Sequence, residues 1–331
     1  MRQRSSADAY LAARAARSAA AQFAADVNYY LSQDPRQLPS QYLYDALGSA
    51  LFEAICELPW YRITRAEQRL LGTHGAEVFR QIARVSTIVE LGSGSGAKLW
   101  TIAESRDPGA PSLDVHLVDV SASALGASAR TLASLEGVRV TTHQARYEDG
   151  LRFVTSALVP AERLLVVFLG SNIGNFDPPG ANAFLRGIRG QIRSGDALLL
   201  GADLVKPERE LLLAYDDPLG VTAAFNRNLL VRINQELGGN FDLDQFAHHV
   251  EWNASESRIE MHLVARRAQQ VRVTKADTAF TLQAGDRIWT ESSYKYRPAQ
   301  IMMLLEAAGF RRVNQWVDAD DGFALTLVEA A

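Results

Sequence analysis

From residue 87 onward the chain falls into short apolar runs separated by helix-length stretches. Residues 87–91, 115–119, 138–142, 164–169 and 197–200 predict five strands. Runs that stay apolar suit strands covered on both faces, and strands alternating with helices predict a parallel sheet. The first 70 residues read as helical. Residues 12–25 are alanine-rich and predict a helix. Pro39 and Pro59 mark breaks, and Thr64 with Glu67 predicts a capping box for a helix running through Leu71 toward Ile82. After Asp203 the alternation stops. Residues 206–246 predict helices with a turn at 215–220, residues 257–264 and 270–273 antiparallel strands, and 286–296 an extended segment. A helix at 297–308 and a hairpin of 313–317 with 323–328 close the chain. The pattern predicts a doubly wound sheet of residues 67–205 and 297–331. A second α+β domain, from 8–66 and the insertion 206–296, would cover the carboxyl ends of the strands, where such sheets bind ligands.

The first strand runs into Glu90-Leu91-Gly92-Ser93-Gly94-Ser95-Gly96-Ala97-Lys98. Between a strand and a helix, these glycines permit a tight turn and close approach to a nucleotide cofactor. Gly92, Gly94 and Ala97 also fit the dinucleotide fingerprint, so an NAD-dependent oxidoreductase competes. Asp119 ends the second strand, placed either to accept from both ribose hydroxyls or to cap the next helix. The acidic residue before the first glycine and the closing hairpin favour S-adenosyl-L-methionine. They also favour the class I methyltransferase fold, a Rossmann-like sheet with an antiparallel last strand.

At 331 residues and 47% apolar content, the chain can bury cores for two domains. A formal net charge of -4 gives no basic excess for nucleic acid or an anionic membrane and suits a small uncharged or zwitterionic partner. No run of 18 apolar residues predicts a membrane span. Arg2, Arg4, Arg14 and Arg17 faintly resemble a transit peptide but lack a signal-peptide core. The lone Cys56 cannot form an internal disulfide, fits a reducing cytoplasm, and reads as a small buried hydrophobe. His248-His249, taken as lying on a helix, has no evident third ligand, so no metal is expected. The oligomeric state stays open, a monomer included.

Further phrases extend the pattern. They are Leu58-Pro59 with Tyr61, Thr64-Arg65-Ala66-Glu67, Phe168-Leu169-Gly170-Ser171, Ile173-Gly174-Asn175 and Tyr215-Asp216-Asp217-Pro218. Phe225-Asn226-Arg227-Asn228, Arg258-Ile259-Glu260-Met261 and Thr290-Glu291-Ser292-Ser293 follow. In this order and spacing, with the glycine loop, the set resembles the L-histidine Nα-methyltransferases of ergothioneine biosynthesis, from about Tyr44 to about Leu327. The resemblance implies methylation of the histidine α-amine, up to the trimethylated betaine hercynine. It implies cofactor binding by the loop of Gly92 and Gly94, by Lys98 and Asp119, and by Tyr147 near the adenine. It places Asn175 and Tyr215 at the substrate carboxylate, Tyr61 and Asn175 at the amine, Tyr44 around the amine, and Met261 under the imidazole. Glu291 and Ser293 would hold the imidazole. Arg146 stands where the family usually has an acidic residue. Arginine cannot accept a hydrogen bond from the adenine amino group, which leaves that task to Glu148 or a backbone carbonyl. Asn172 stands where the family usually has threonine.

The residues support this chemistry to different degrees. Glu291 and Ser293, two apart in an extended segment, share a face and offer an acceptor beside a hydroxyl. Alone, they equally suit a solvated strand. Tyr44, Tyr61 and Tyr215 suit a core, but aromatic faces also stabilise a quaternary ammonium. An α-amine loses its proton near pH 8 in peptides. Alignment of amine and methyl can therefore carry the reaction, with Tyr61 orienting the amine and no residue indispensable as a base. A related amino acid such as tryptophan or a histidine analogue, or a non-catalytic binding role, are the other readings.

Overall fold

The computed structural model describes residues 19–82, 84–107, 109–159 and 163–331. Residues 12–18 of the alanine-rich segment, the four N-terminal arginines and the expected domain start at residue 8 lie outside them. Helices α1 (Ala19–Leu31), α2 (Ala46–Glu57) and α3 (Ile63–Gln81) precede strand β1 (Val85–Leu91). Then come α4 (Ala97–Glu104), β2 (Leu113–Asp119), α5 (Ala122–Leu132), β3 (Val138–Gln144) and α6 (Tyr147–Ala157). These are followed by β4 (Arg163–Phe168), α7 (Pro178–Gln191) and β5 (Ala197–Asp203). Helices α8 (Glu208–Tyr215) and α9 (Val221–Leu237) lead into strands β6 (Phe246–Asn253), β7 (Arg258–Ala265), β8 (Gln269–Val273), β9 (Thr278–Leu282) and β10 (Arg287–Tyr294). Helix α10 (Pro298–Ala307) and the hairpin β11 (Phe310–Asp318) and β12 (Phe323–Ala330) end the chain.

Seven strands form one sheet in the order β11-β12-β5-β4-β1-β2-β3. Strands β1 to β5 pair in parallel, and β12 runs antiparallel to β5. This is the class I methyltransferase sheet anticipated from the sequence. Its central strands bury both faces by strict alternation. Ile88, Leu165 and Leu199 pack into one core, while their neighbours Val89, Val166 and Leu198 pack into the other. Among the described residues, no helix is long and apolar enough to cross a membrane.

The insertion forms a three-stranded antiparallel sheet, β10-β7-β6, and a separate hairpin, β8-β9. Two expectations change here. Residues 270–273 pair with β9 rather than with residues 257–264, and the helical stretch ends before Phe246, where β6 begins. His248 and His249 therefore lie on a strand. The chain N-terminal to α2 joins this unit: Leu38 N–H donates to Trp289 O (2.8 Å) and Trp289 N–H to Arg36 O (2.9 Å). The two sheets are stitched where β5 and β10 end. Tyr296 N–H donates to Asp203 O (3.0 Å) and Val205 N–H to Tyr296 O (2.9 Å).

The predicted capping box is absent. Helix α3 starts two residues earlier, at Ile63, with Arg62 at the N-cap position and no side-chain cap. Glu67 turns inward instead, fully buried, because its carboxylate has stronger partners there than the helix end offers.

Candidate active site

The loop after β1 is bent by three glycines with φ of 85° (Gly92), 48° (Gly94) and 78° (Gly96), values that side chains rarely adopt. Gly92 N–H donates to Val118 O (2.8 Å), which pins the loop to β2. Asp119, at the end of β2, reaches across. Its Oδ2 accepts from Ser93 N–H (3.1 Å) and its Oδ1 from Ser121 N–H (2.8 Å). Burial raises the Asp119 pKa, and the loop N–H groups act against that rise. The cap of α5 is Ser121, whose Oγ accepts from Ala124 N–H (3.3 Å), so the capping alternative for Asp119 is not the one adopted.

Beneath the loop, Lys98 Nζ lies 2.6 Å from Glu67 Oε2. Both Glu67 oxygens also accept from Gly170 N–H, at 2.9 Å each. Burial works against the Lys98 charge, but Glu67 outweighs it and raises the Lys98 pKa. Glu90 is buried nearby with Oε2 unpartnered, and burial pushes its carboxyl well above the usual range. Tyr147 packs edge-on against Phe168. A Cβ at Gly92 would lie 3.1 Å from its hydroxyl and 3.0 Å from Asn172 Nδ2. Arg146 precedes α6 with its side chain exposed.

Asn172 also lines a pocket, so the glycine loop and the pocket meet at this residue. Tyr44, Tyr61, Asn175, Tyr215, Met261, Glu291 and Ser293 line the same pocket. They come from the N-terminal segment, the turn after β4, and α8, β7 and β10. Rings of Phe225, Tyr44, Phe52, Tyr61 and Tyr215 pack in that order, with centroids 5.4–6.2 Å apart. The turn bearing Asn175 sits hard against β10, since a Cβ at Gly174 would fall 2.7 Å from Tyr294 O. Burial raises the pKa of Tyr44, Tyr61 and Tyr215, which keeps all three phenols protonated at neutral pH. Glu291 is pushed up to about 7 by burial, with Lys295 acting in the opposite direction.

The floor at Ser293 is a polar network. Lys295 Nζ lies 2.9 Å from Asp203 Oδ2 and donates to Tyr215 OH (2.8 Å) and Ser293 Oγ (2.9 Å). The Tyr215 hydroxyl, expected near a substrate carboxylate, donates to Ser293 Oγ (2.8 Å). Lys206 Nζ lies 2.7 Å from Asp203 Oδ1.

A family model described as histidine-specific methyltransferase, SAM-dependent, matches residues 23–330. The chain belongs to this family. It is 41% identical over 314 residues to the histidine N-alpha-methyltransferase of Mycolicibacterium smegmatis, covering 95% of this chain and 96% of that one. It is 42% identical over 304 residues to the histidine N-alpha-methyltransferase of Mycobacterium tuberculosis, covering 91% and 93%. Ergothioneine biosynthesis protein 1 of Neurospora crassa is 28% identical over 288 residues, covering 85% of this chain and 32% of that protein.

Family phrases whose purpose the sequence left open now have physical content. In Tyr215-Asp216-Asp217-Pro218, Asp217 caps α9 by accepting from Val221 and Thr222 N–H (3.1 and 2.8 Å). In Phe225-Asn226-Arg227-Asn228, Phe225 faces the pocket and Asn228 donates to Asp45 Oδ1 (2.7 Å), tying α9 to the cap of α2. Sequence reasoning missed Lys295, Asp203 and the inward role of Glu67. Lys295 had a signal: it continues the two-residue alternation of Glu291 and Ser293. Asp203 and Glu67 had none, because the partners that bring them to the site, Lys295 for Asp203 and Lys98 and Gly170 for Glu67, are distant in sequence.

On the outer face of the three-stranded sheet, Glu251, Glu260 and His262 converge closely enough to hold a metal ion. Arg287 donates to Glu251 (3.0 Å) and Arg258 to Glu260 (2.7 Å), so cations of the chain already neutralise both carboxylates. His248 is bonded to Tyr215 O (2.9 Å), and His249 lies against Glu251 (3.3 Å).

Proposed function

We propose that this protein transfers methyl groups from S-adenosyl-L-methionine to the α-amine of L-histidine, up to the trimethylated betaine hercynine, in an ergothioneine-type pathway. The observation that carries the reading is the pocket itself. One aromatic cavity holds an acceptor–hydroxyl pair, Glu291 and Ser293, together with Tyr61 and Asn175, and it abuts the glycine loop at Asn172. The two expected units, residues 67–205 with 297–331 and 8–66 with 206–296, are proposed as the cofactor-binding and amino-acid-binding parts. A cytoplasmic setting is proposed from the lone Cys56.

The cofactor supplies an electrophilic methyl on a sulfonium. The Gly92–Gly94 turn and Asp119 would hold its nucleoside end, and Tyr147 and the exposed Arg146 would meet the adenine end. Lys98 holds the turn after β4 in place through Glu67 rather than reaching outward as a free charge. Asn175 takes the substrate carboxylate and, with Tyr61, the amine. Tyr215 supports Ser293 rather than the carboxylate, because its proton is already committed. Glu291 and Ser293 hold the imidazole over Met261. Tyr61 stays a phenol at neutral pH, so it orients the amine rather than deprotonating it, and catalysis rests on alignment. The rings of Tyr44, Phe52 and Phe225 offer faces to the growing positive charge without a proton to exchange.

The test is mass spectrometry after incubation with S-adenosylmethionine and the twenty amino acids. Histidine alone should gain one to three methyl groups. Methylation of tryptophan or another residue in preference to histidine would overturn the substrate assignment.

A further inference from the structure

Lys295 follows directly on β10, and its side chain is fully buried. A buried ammonium needs partners for all three N–H groups. Here they are Asp203 Oδ2 at 2.9 Å, the Tyr215 hydroxyl at 2.8 Å and Ser293 Oγ at 2.9 Å. Ser293 Oγ also accepts from the Tyr215 hydroxyl at 2.8 Å. A serine hydroxyl has two lone pairs and one proton. Both lone pairs are taken, so the proton has only the pocket to point into. The ammonium cannot accept, so the Ser293 proton cannot turn back onto Lys295.

We propose that Lys295 is a positioning residue that fixes Ser293 as a hydrogen-bond donor, so that the pocket selects a ring presenting an unprotonated nitrogen, the neutral imidazole. This rests on the reading of L-histidine as substrate. The ring's remaining N–H is left for Glu291, two residues before Ser293. An imidazolium carries two N–H groups and no acceptor, so one of them would face the Ser293 proton. An indole has no ring acceptor and leaves Ser293 unpaired, which a buried site penalises. The same network therefore discriminates against protonated histidine and against tryptophan. The charged and titratable groups around it are Asp203 and Lys206 beyond Lys295, Tyr215 from α8, Glu291 from β10, and Tyr44 and Tyr61 across the pocket.

The experiment is ¹⁵N NMR of L-histidine labelled at both ring nitrogens, bound to the full chain with S-adenosylhomocysteine. It is run near pH 5.5, roughly one unit below the ordinary imidazole pKa, where free histidine is mostly imidazolium. The wild-type complex should show one protonated and one unprotonated nitrogen. In Lys295→Met the bound ring should titrate toward imidazolium, with its apparent pKa raised by about one unit or more, a tenfold change in proton affinity. If Lys295→Met does not fold, Ser293→Ala removes the donor and keeps the ammonium, and it should show the same rise. A doubly protonated ring in the wild-type complex overturns the proposal, as does a variant ring indistinguishable from wild type. Absence of any bound histidine would instead defeat the substrate reading, and the proposal with it.

Discussion

Replacing Glu291 by glutamine should stabilise the ligand-free protein and cripple it as a histidine binder. Burial raises this carboxyl from an ordinary 4.5 to about 7. A carboxyl that holds its proton more tightly when folded favours folding at low pH and loses that advantage as pH rises from the unfolded value through the folded one. The window is therefore about 4.5 to 7, with a plateau above. A shift of about 2.5 pH units corresponds to roughly 3 kcal/mol on that plateau, taking 1.36 kcal/mol per unit. Glutamine keeps the shape and carries no charge to desolvate. Urea denaturation of wild type and Glu291→Gln at pH 5 and pH 8 should show the variant's relative stability growing by about 2–3 kcal/mol between the two. Histidine reverses the preference, because an imidazole N–H rewards the ionised carboxylate, and its affinity should fall at least tenfold in the variant. A stability difference between the two proteins that does not change from pH 5 to pH 8 would refute the reasoning.

Three other outcomes are expected. Glu67→Gln leaves Lys98 without its counter-charge; removing one partner of a buried pair costs about 3–5 kcal/mol, and with the Lys98 side chain 23% exposed the loss in denaturant stability should be nearer 2–3 kcal/mol. Gly174→Ala places a Cβ 2.7 Å from Tyr294 O, so the turn carrying Asn175 must move, and steady-state kinetics should show histidine KM rising about tenfold or more with cofactor affinity little changed. Asp119→Asn puts an amide against one of two backbone donors, Ser93 or Ser121 N–H; calorimetry should find S-adenosylhomocysteine binding weakened by about 1–3 kcal/mol.

The seven-stranded sheet was legible because its signal is local and repeated. Ile88 and Val89, or Leu165 and Val166, are adjacent apolar residues serving opposite cores. Only a strand buried on both faces needs that pattern. The insertion was harder to read. Strand β6 alternates weakly, with His248, His249 and Glu251 half-buried, so its residues resembled a continuation of the helices before it. The partner of residues 270–273 was missed because β9 is five residues long and carries two threonines among its apolar positions.

At the site, sequence pattern found the side chains that line the pocket but not what holds them. The spacing of Thr64 and Glu67, three residues apart, satisfies the local rule for a helix cap. The tertiary alternative is stronger: a backbone N–H at Gly170, an ammonium at Lys98, and complete exclusion from water. A buried carboxylate with those partners outweighs a solvated cap, so the local signal gave way. Lys295 carries the same lesson into specificity. On the proposed reading a ring nitrogen in the pocket would meet Ser293, and the direction of the Ser293 proton would be decided one layer behind, by an ammonium held against Asp203. Histidine recognition would then depend on the junction where β5 and β10 end, and a family member that kept Glu291 and Ser293 but lost Lys295 should keep the shape of the pocket and lose its preference for a neutral ring.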